Sequence, residues 1–118
     1  MSERSLGDRW VETRTAEGAW VCKLPASTTS GIPDWLVLHG GAELWEAKLA
    51  LEAGEWAYTP NQLRASQRFF QRMLARYAPD TGGVLLLSVG GWMQLPAGRA
   101  MKGPLRMAHF IRHRRPYV

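Results

Sequence analysis

At 118 residues the chain has the size of one domain and is long enough to bury an independent core. Fifteen Lys and Arg stand against ten Asp and Glu, for a net charge of +5 and a pI of about 10.0, a balance that favours a polyanionic partner. The single cysteine, Cys22, excludes disulfide frameworks and Cys-rich zinc sites, and no apolar run approaches the roughly 18 to 20 residues of a membrane span. Met1-Ser2-Glu3-Arg4 has no signal-peptide character, so a cytoplasmic protein with no membrane partner is expected.

Residues 5–17 read as a helix, with Leu6, Trp10 and Val11 at helical spacing and Gly18 as a stop. Ala19 to Leu24 read as a short strand in which Cys22 is a small core residue, and 25–31 as a loop. Trp35–Leu38 and Glu43–Leu49 are strand-like, joined through Gly40-Gly41 as a hairpin. Residues 50–61 are polar and irregular and are expected as a surface loop. From Gln62 to Tyr77 the recurrence of Leu63, Phe70, Leu74 and Tyr77 predicts a helix, with Arg64, Arg68, Arg72 and Arg76 as a ladder along it. Val84–Val89 is a continuous apolar run suited to a fully buried strand, and Gly90-Gly91 followed by Trp92–Leu95 predicts a second hairpin. Residues 97–118 carry Arg99, Lys102, Arg106, Arg112, Arg114 and Arg115 with little periodicity and read as a basic, partly ordered tail of a single domain. The order helix, strand, hairpin, helix, strand, strand implies an α/β domain with a central mixed β-sheet flanked by helices.

The chemistry gathers on the first hairpin. Glu46 and Lys48 lie two apart on one strand and so project from the same face. If the hairpin is centred near Gly40, Asp34 stands opposite Glu46, and two carboxylates and an ammonium converge on one patch. Paired carboxylates repel unless a cation lies between them, and hard oxygen donors at this spacing suit Mg²⁺, with Mn²⁺ as a substitute. On the second helix Gln67 shares the face of Leu63, Phe70 and Leu74 and is expected to point toward the sheet, with Gln62 as its rival. Trp35 and Trp45 are expected in the core or at an interface, and Trp56 with Tyr58 as a stacking surface for an unpaired base. His39 is expected at the exposed hairpin tip, and His109 and His113 as a pair that adds polarity.

Pro33-Asp34 followed by Glu46-Ala47-Lys48 resembles the PD-(D/E)XK nuclease superfamily. The likeness runs from about Asp8 to Leu95, and within the superfamily is greatest to archaeal and phage Holliday-junction resolvases and to stand-alone virus-type replication-repair nucleases. It implies a restriction-endonuclease-like core with Asp34, Glu46 and the Ala47 carbonyl as metal ligands and Lys48 as the group that positions or deprotonates water. A further acid is implied on the first helix, with Asp8 as first choice and Glu12 and Glu3 as alternatives; Gln67 joins the catalytic set. Arg9, Lys23, Ser30, Arg64, Arg68 and Arg72 are the expected DNA contacts. Ser27, Thr28, Thr29 and Ser30 occupy the place of a Ser-containing loop near the scissile phosphate. The expected activity is Mg²⁺-dependent endonucleolytic cleavage of branched DNA by a homodimer, as a resolvase making paired cuts, with no small-molecule cofactor. The alternatives are a replication-repair nuclease that cuts flaps, a type II restriction enzyme, and a DNA-binding protein without catalysis.

Overall fold

The computed structural model describes residues 1–25 and 31–118. Helix α1 (Glu3–Ala16) begins where the Ser2 hydroxyl accepts the Ser5 N–H at 3.2 Å, satisfying one of the donors that a helix start leaves free. Strands β1 (Trp20–Lys23), β2 (Trp35–Leu38) and β3 (Ala42–Leu49) follow as an antiparallel meander. The β2–β3 turn reverses at Gly40, whose φ of +73° is costly for any residue with a Cβ. A crossover then carries strand β4 (Trp56–Tyr58), a 3-10 turn (Pro60–Gln62) and helix α2 (Ala65–Tyr77), and delivers β5 (Gly82–Ser88) parallel to β3. Strand β6 (Gly91–Pro96) returns antiparallel beside β5, so the described residues form a five-stranded mixed sheet in the order β1-β2-β3-β5-β6.

Two apolar layers sandwich this sheet, and side-chain alternation assigns residues to them. Leu85 and Leu87 of β5 join Trp45 and Ala47 of β3 against Leu6 and Trp10 of α1. Their neighbours Val84 and Leu86 face the opposite layer with Tyr58, Leu63 and Leu95. Buried on both faces, β5 has no polar alternation, which explains its continuous apolar run. Trp10 stacks against Trp35 and Trp92 at centroid separations of 5.9 and 6.5 Å, in the inclined geometries that aromatic quadrupoles favour. Within this layer lies a polar network that sequence periodicity does not announce. Buried Arg14 donates to both Glu43 carboxylate oxygens at 2.9 and 3.0 Å and to Gln94 Oε1 at 2.8 Å, and its Nε lies 3.1 Å from Glu17. The network ties α1 to β3 and β6; leaving one buried charge of such a set unpaired costs about 3–5 kcal/mol.

Three expectations change. Residues 50–61 are not simply a surface loop: they contain β4, with Ala57 and Tyr58 fully buried. Tyr58 donates its hydroxyl to the Ala100 carbonyl at 2.9 Å and is therefore no stacking surface for a base. Helix α2 starts at Ala65, because residues 60–62 wind more tightly and Leu63 and Arg64 are extended. Residues 97–118, expected as a partly ordered tail, instead carry α3 (Ala97–Ala100), β7 (Leu105–Arg106) and α4 (Met107–His113). Four apolar anchors, Ala97, Ala100, Leu105 and Phe110, are buried under a basic exterior, and β7 pairs with β4 as a second, two-stranded sheet. Arg115 then exchanges backbone hydrogen bonds with Trp92, at 2.9 and 2.7 Å, along the β6 edge.

Candidate active site

Trp35 pairs with Trp45 and Leu36 with Leu44, and the same register continued one step sets Asp34 opposite Glu46. Three contacts hold Asp34 there. Its carbonyl accepts the Leu24 N–H at 2.8 Å, extending the β1–β2 ladder, and its Oδ2 accepts the Ala47 N–H at 2.8 Å. Its carboxylate also shares a hydrogen bond with the Glu46 carboxyl. The turn before it rests on α2. Gly31 has φ +68°, and a Cβ there would lie 2.2 Å from the Ser66 carbonyl oxygen, so only glycine lets the turn approach the helix this closely.

Glu46 is only 3% exposed, and Lys48, two residues on, is half-buried. Burial pushes the Glu46 carboxyl up to about 9; the hydrogen bond and negative charge of Asp34 and the charge of Glu3 add to this, and Lys48 opposes them. At neutral pH and without a cation, the Glu46 carboxyl is therefore held in its neutral form. Glu3 is also raised, first by burial and then by Asp34, against the opposing charges of Lys48 and Lys23. Of the three first-helix acids, Glu3 is thus the one whose charge is felt by both Asp34 and Glu46. Asp8, the first choice from sequence, lies further along the helix on the wall of the adjoining cavity, and Glu12 is exposed. That cavity, about 440 Å³, is lined by Glu3, Arg4, Gly7, Asp8, Lys23, Trp35 and Ala47, and it adjoins the carboxyl pair through Ala47.

Among the described residues no three His, Cys, Asp or Glu side chains converge to hold a metal ion. The side-chain donors are then the two carboxyls, to which the Ala47 carbonyl is the nearest backbone addition by sequence. Such a set fits Mg²⁺ or Mn²⁺: Mg²⁺ commonly binds through one or two carboxylates and retains several waters. The raised Glu46 carboxyl, buried beside Asp34, marks a place where positive charge is favoured.

Other expected residues fall variously. Gln67 is buried, as its helical phase predicts, but its Oε1 accepts the Arg64 N–H at 2.8 Å, so its amide caps the start of α2. Gln62 is also engaged, accepting the Thr59 N–H and donating to the Leu49 carbonyl, each at 3.0 Å. Arg9 lies over the Tyr117 ring at 4.4 Å and Lys23 over Trp35 at 4.8 Å. Arg68 donates to the Leu63 carbonyl, while Arg64, just before α2, and Arg72, on it, are exposed. Ser30, with Ser27, Thr28 and Thr29, lies outside the described residues. Cys22 is half-buried, His39 is exposed, and the rings of His109 and His113 stack at 4.3 Å. Trp35 and Trp45 are core residues.

Sequence reasoning missed two features. The Arg14 network joins residues 80 positions apart and has no local signature. Gln71, 1% exposed, donates to the Gly83 carbonyl at 3.1 Å and ties α2 to β5. No described helix is long and apolar enough to cross a membrane. Compared with known proteins, the chain matches no family model, no curated protein and no solved structure.

Proposed function

We propose that this chain is a metal-dependent phosphodiesterase that cuts DNA as a structure-selective endonuclease. The observation that carries the reading is the buried pairing of Asp34 with Glu46 beside Lys48 on the same face of β3. The order of a helix, three antiparallel strands and a crossover helix to a parallel strand supports it, as the arrangement the PD-(D/E)XK resemblance implies.

Asp34, Glu46 and the Ala47 carbonyl would hold Mg²⁺ or Mn²⁺. With the ion bound, the site gains a Lewis acid that polarises a phosphoryl oxygen and acidifies water. The chain's own residues do the positioning. The Ala47 N–H fixes the Asp34 carboxylate, and Lys48 brings its ammonium to the attacking water or a phosphate oxygen. Glu3 contributes negative charge that draws the cation in. Water attacks phosphorus, the bond to the leaving oxygen breaks, and no bond to the protein forms.

The proposed substrate is branched DNA, with the four-way junction first because the described residues form one compact sheet-and-helix body with a basic exterior, suited to reading shape and phosphates. A replication-repair role on flaps is the second reading, favoured by an aromatic and basic cleft on the folded C-terminal segment. Labelled four-way junction, flap, Y-fork and linear duplex, each incubated with protein and Mg²⁺, test both. Cleavage of a branched form over duplex is expected, and Asp34→Asn should lower it by more than about 100-fold while DNA binding persists. Near-normal turnover by Asp34→Asn would remove the assignment, and binding without cutting in every arm would return the chain to the non-catalytic class.

A further inference from the structure

The positive charge of this chain is unevenly placed. Residues 97–118 hold six of the fifteen Lys and Arg and none of the ten Asp and Glu, so this segment accounts for +6 and the remainder of the chain for −1. The segment is folded, and with β4 it encloses an open cleft of about 390 Å³ lined by Trp56, Arg99, Pro104, Leu105, Arg106 and His109.

Each wall has a local cause. Trp56 and Arg106 are cross-strand partners in the β4–β7 pair, with the guanidinium 5.1 Å from the ring centroid. Ala57 is buried below, and Trp56 remains half-exposed above. Arg99 donates to the carbonyls of Gly103 and Pro104, at 3.1 and 3.0 Å, and so holds the α3–β7 loop as the opposite wall. Arg106 also pairs with Glu55, but both side chains are more than half exposed. Exposed pairs of this kind are weak and readily exchange one anion for another.

We infer that this cleft binds an unpaired nucleotide of single-stranded DNA, the base stacking on Trp56 and its phosphate displacing Glu55 from Arg106. The volume lies within the range of small-ligand sites, roughly 300–1,000 Å³, and suits one nucleotide better than a duplex. Stacking on an aromatic ring is open only to a base that has left its own stack, and it tolerates any sequence. The inference takes DNA as the polymer from the nuclease reading, but its binding needs neither the metal nor the carboxyl pair.

The test is fluorescence anisotropy of a labelled eight-residue oligothymidine and of a blunt duplex, in EDTA, so that loss of cleavage and loss of binding are read separately. Trp56→Ala should weaken single-strand binding about 5- to 100-fold and duplex binding less than about twofold. Trp56→Phe should restore most of the loss, and Arg106→Ala should weaken binding with a smaller salt dependence. Glu55→Gln should tighten it, a gain that only a folded protein can show. Wild-type affinity in both Trp56→Ala and Arg106→Ala, equal losses on duplex and single strand, or no gain in Glu55→Gln would each overturn the inference.

Discussion

Glu46 and Glu43 occupy the same strand three residues apart, and their carboxyls shift in opposite directions. At Glu43 burial would raise the carboxyl, but hydrogen bonds from Arg14 and Trp45 and the charges of Arg14 and His39 outweigh it and hold the group below its ordinary value. At Glu46 no donor of that strength is present, and Asp34 and Glu3 push the same way as burial. The linkage follows in sign. Glu43, depressed in the fold, contributes stability above its unfolded pKa that is lost as pH falls through the acid range. Glu46, raised in the fold, contributes stability at low pH that is lost as pH rises from about 4.5 toward about 9. In a chelator the melting temperature is therefore expected to decline from mildly acidic to alkaline pH, and Glu46→Gln should flatten that decline. Mg²⁺ should raise the melting temperature more at pH 8.5 than at pH 5.5, because displacing the Glu46 proton costs less near its raised pKa of about 9 than far below it. Equal metal stabilisation at both values would contradict the placement of the ion. Glu3 belongs to the same field, so Glu3→Gln should slow Mg²⁺-dependent cleavage about tenfold and Asp8→Asn less, the reverse of the order expected from sequence.

At the scale of elements, α2 shows how far periodicity reaches. Its apolar phase correctly turns Gln67 inward, because helical spacing specifies direction. It does not specify which hydrogen bond satisfies the buried amide, and the donor that does so is the Arg64 backbone N–H at the helix's own start. Gln67→Ala should therefore lower stability by about 1 kcal/mol in urea denaturation, with any effect on cleavage following from a frayed α2. Gln67→Glu keeps an acceptor for the Arg64 N–H and should recover most of the loss; a stable Gln67→Ala protein with abolished turnover would restore a direct catalytic role. The β2–β3 hairpin was legible because Gly40-Gly41 and two short apolar runs leave almost one register, and that register set Asp34 beside Glu46. The C-terminal elements were not. Their strands and helices are two to seven residues long, too short for a period to show, and they are stabilised by packing against β4 and β6 rather than by any pattern of their own.

For the whole molecule, paired incision of a four-way junction needs two sites, and this chain has one Asp34, Glu46 and Lys48 set. A two-fold homodimer remains our proposal, with an interface that lies outside the core. Val84–Leu87, Trp92 and Leu95 are buried within the chain's own core and cannot also form an interface. Among the exposed apolar groups, Trp20 and Leu38 are cross-strand partners at the β1 edge, 56% and 46% exposed, and form the patch we propose for it. Light scattering should give about twice 13.3 kDa, and Trp20→Glu should lower that mass. Mixed wild-type and Glu46→Gln chains should nick one strand of a cruciform plasmid; a monomer that still makes paired cuts would exclude the dimer.

The uneven charge has a kinetic consequence. A body with +6 on its last 22 residues and −1 on the rest is a dipole as well as a cation. In the field of a polyanion such a body turns before it touches, so that the C-terminal segment leads and the more acidic remainder trails. That torque reaches only about one Debye length, roughly 10 Å at 0.1 M salt, against a molecule 32 Å long. Below that ionic strength encounters arrive aligned. Above it that alignment is lost, and with the nucleic-acid partner we propose the search for it would pass from free diffusion to the surface of the polyanion.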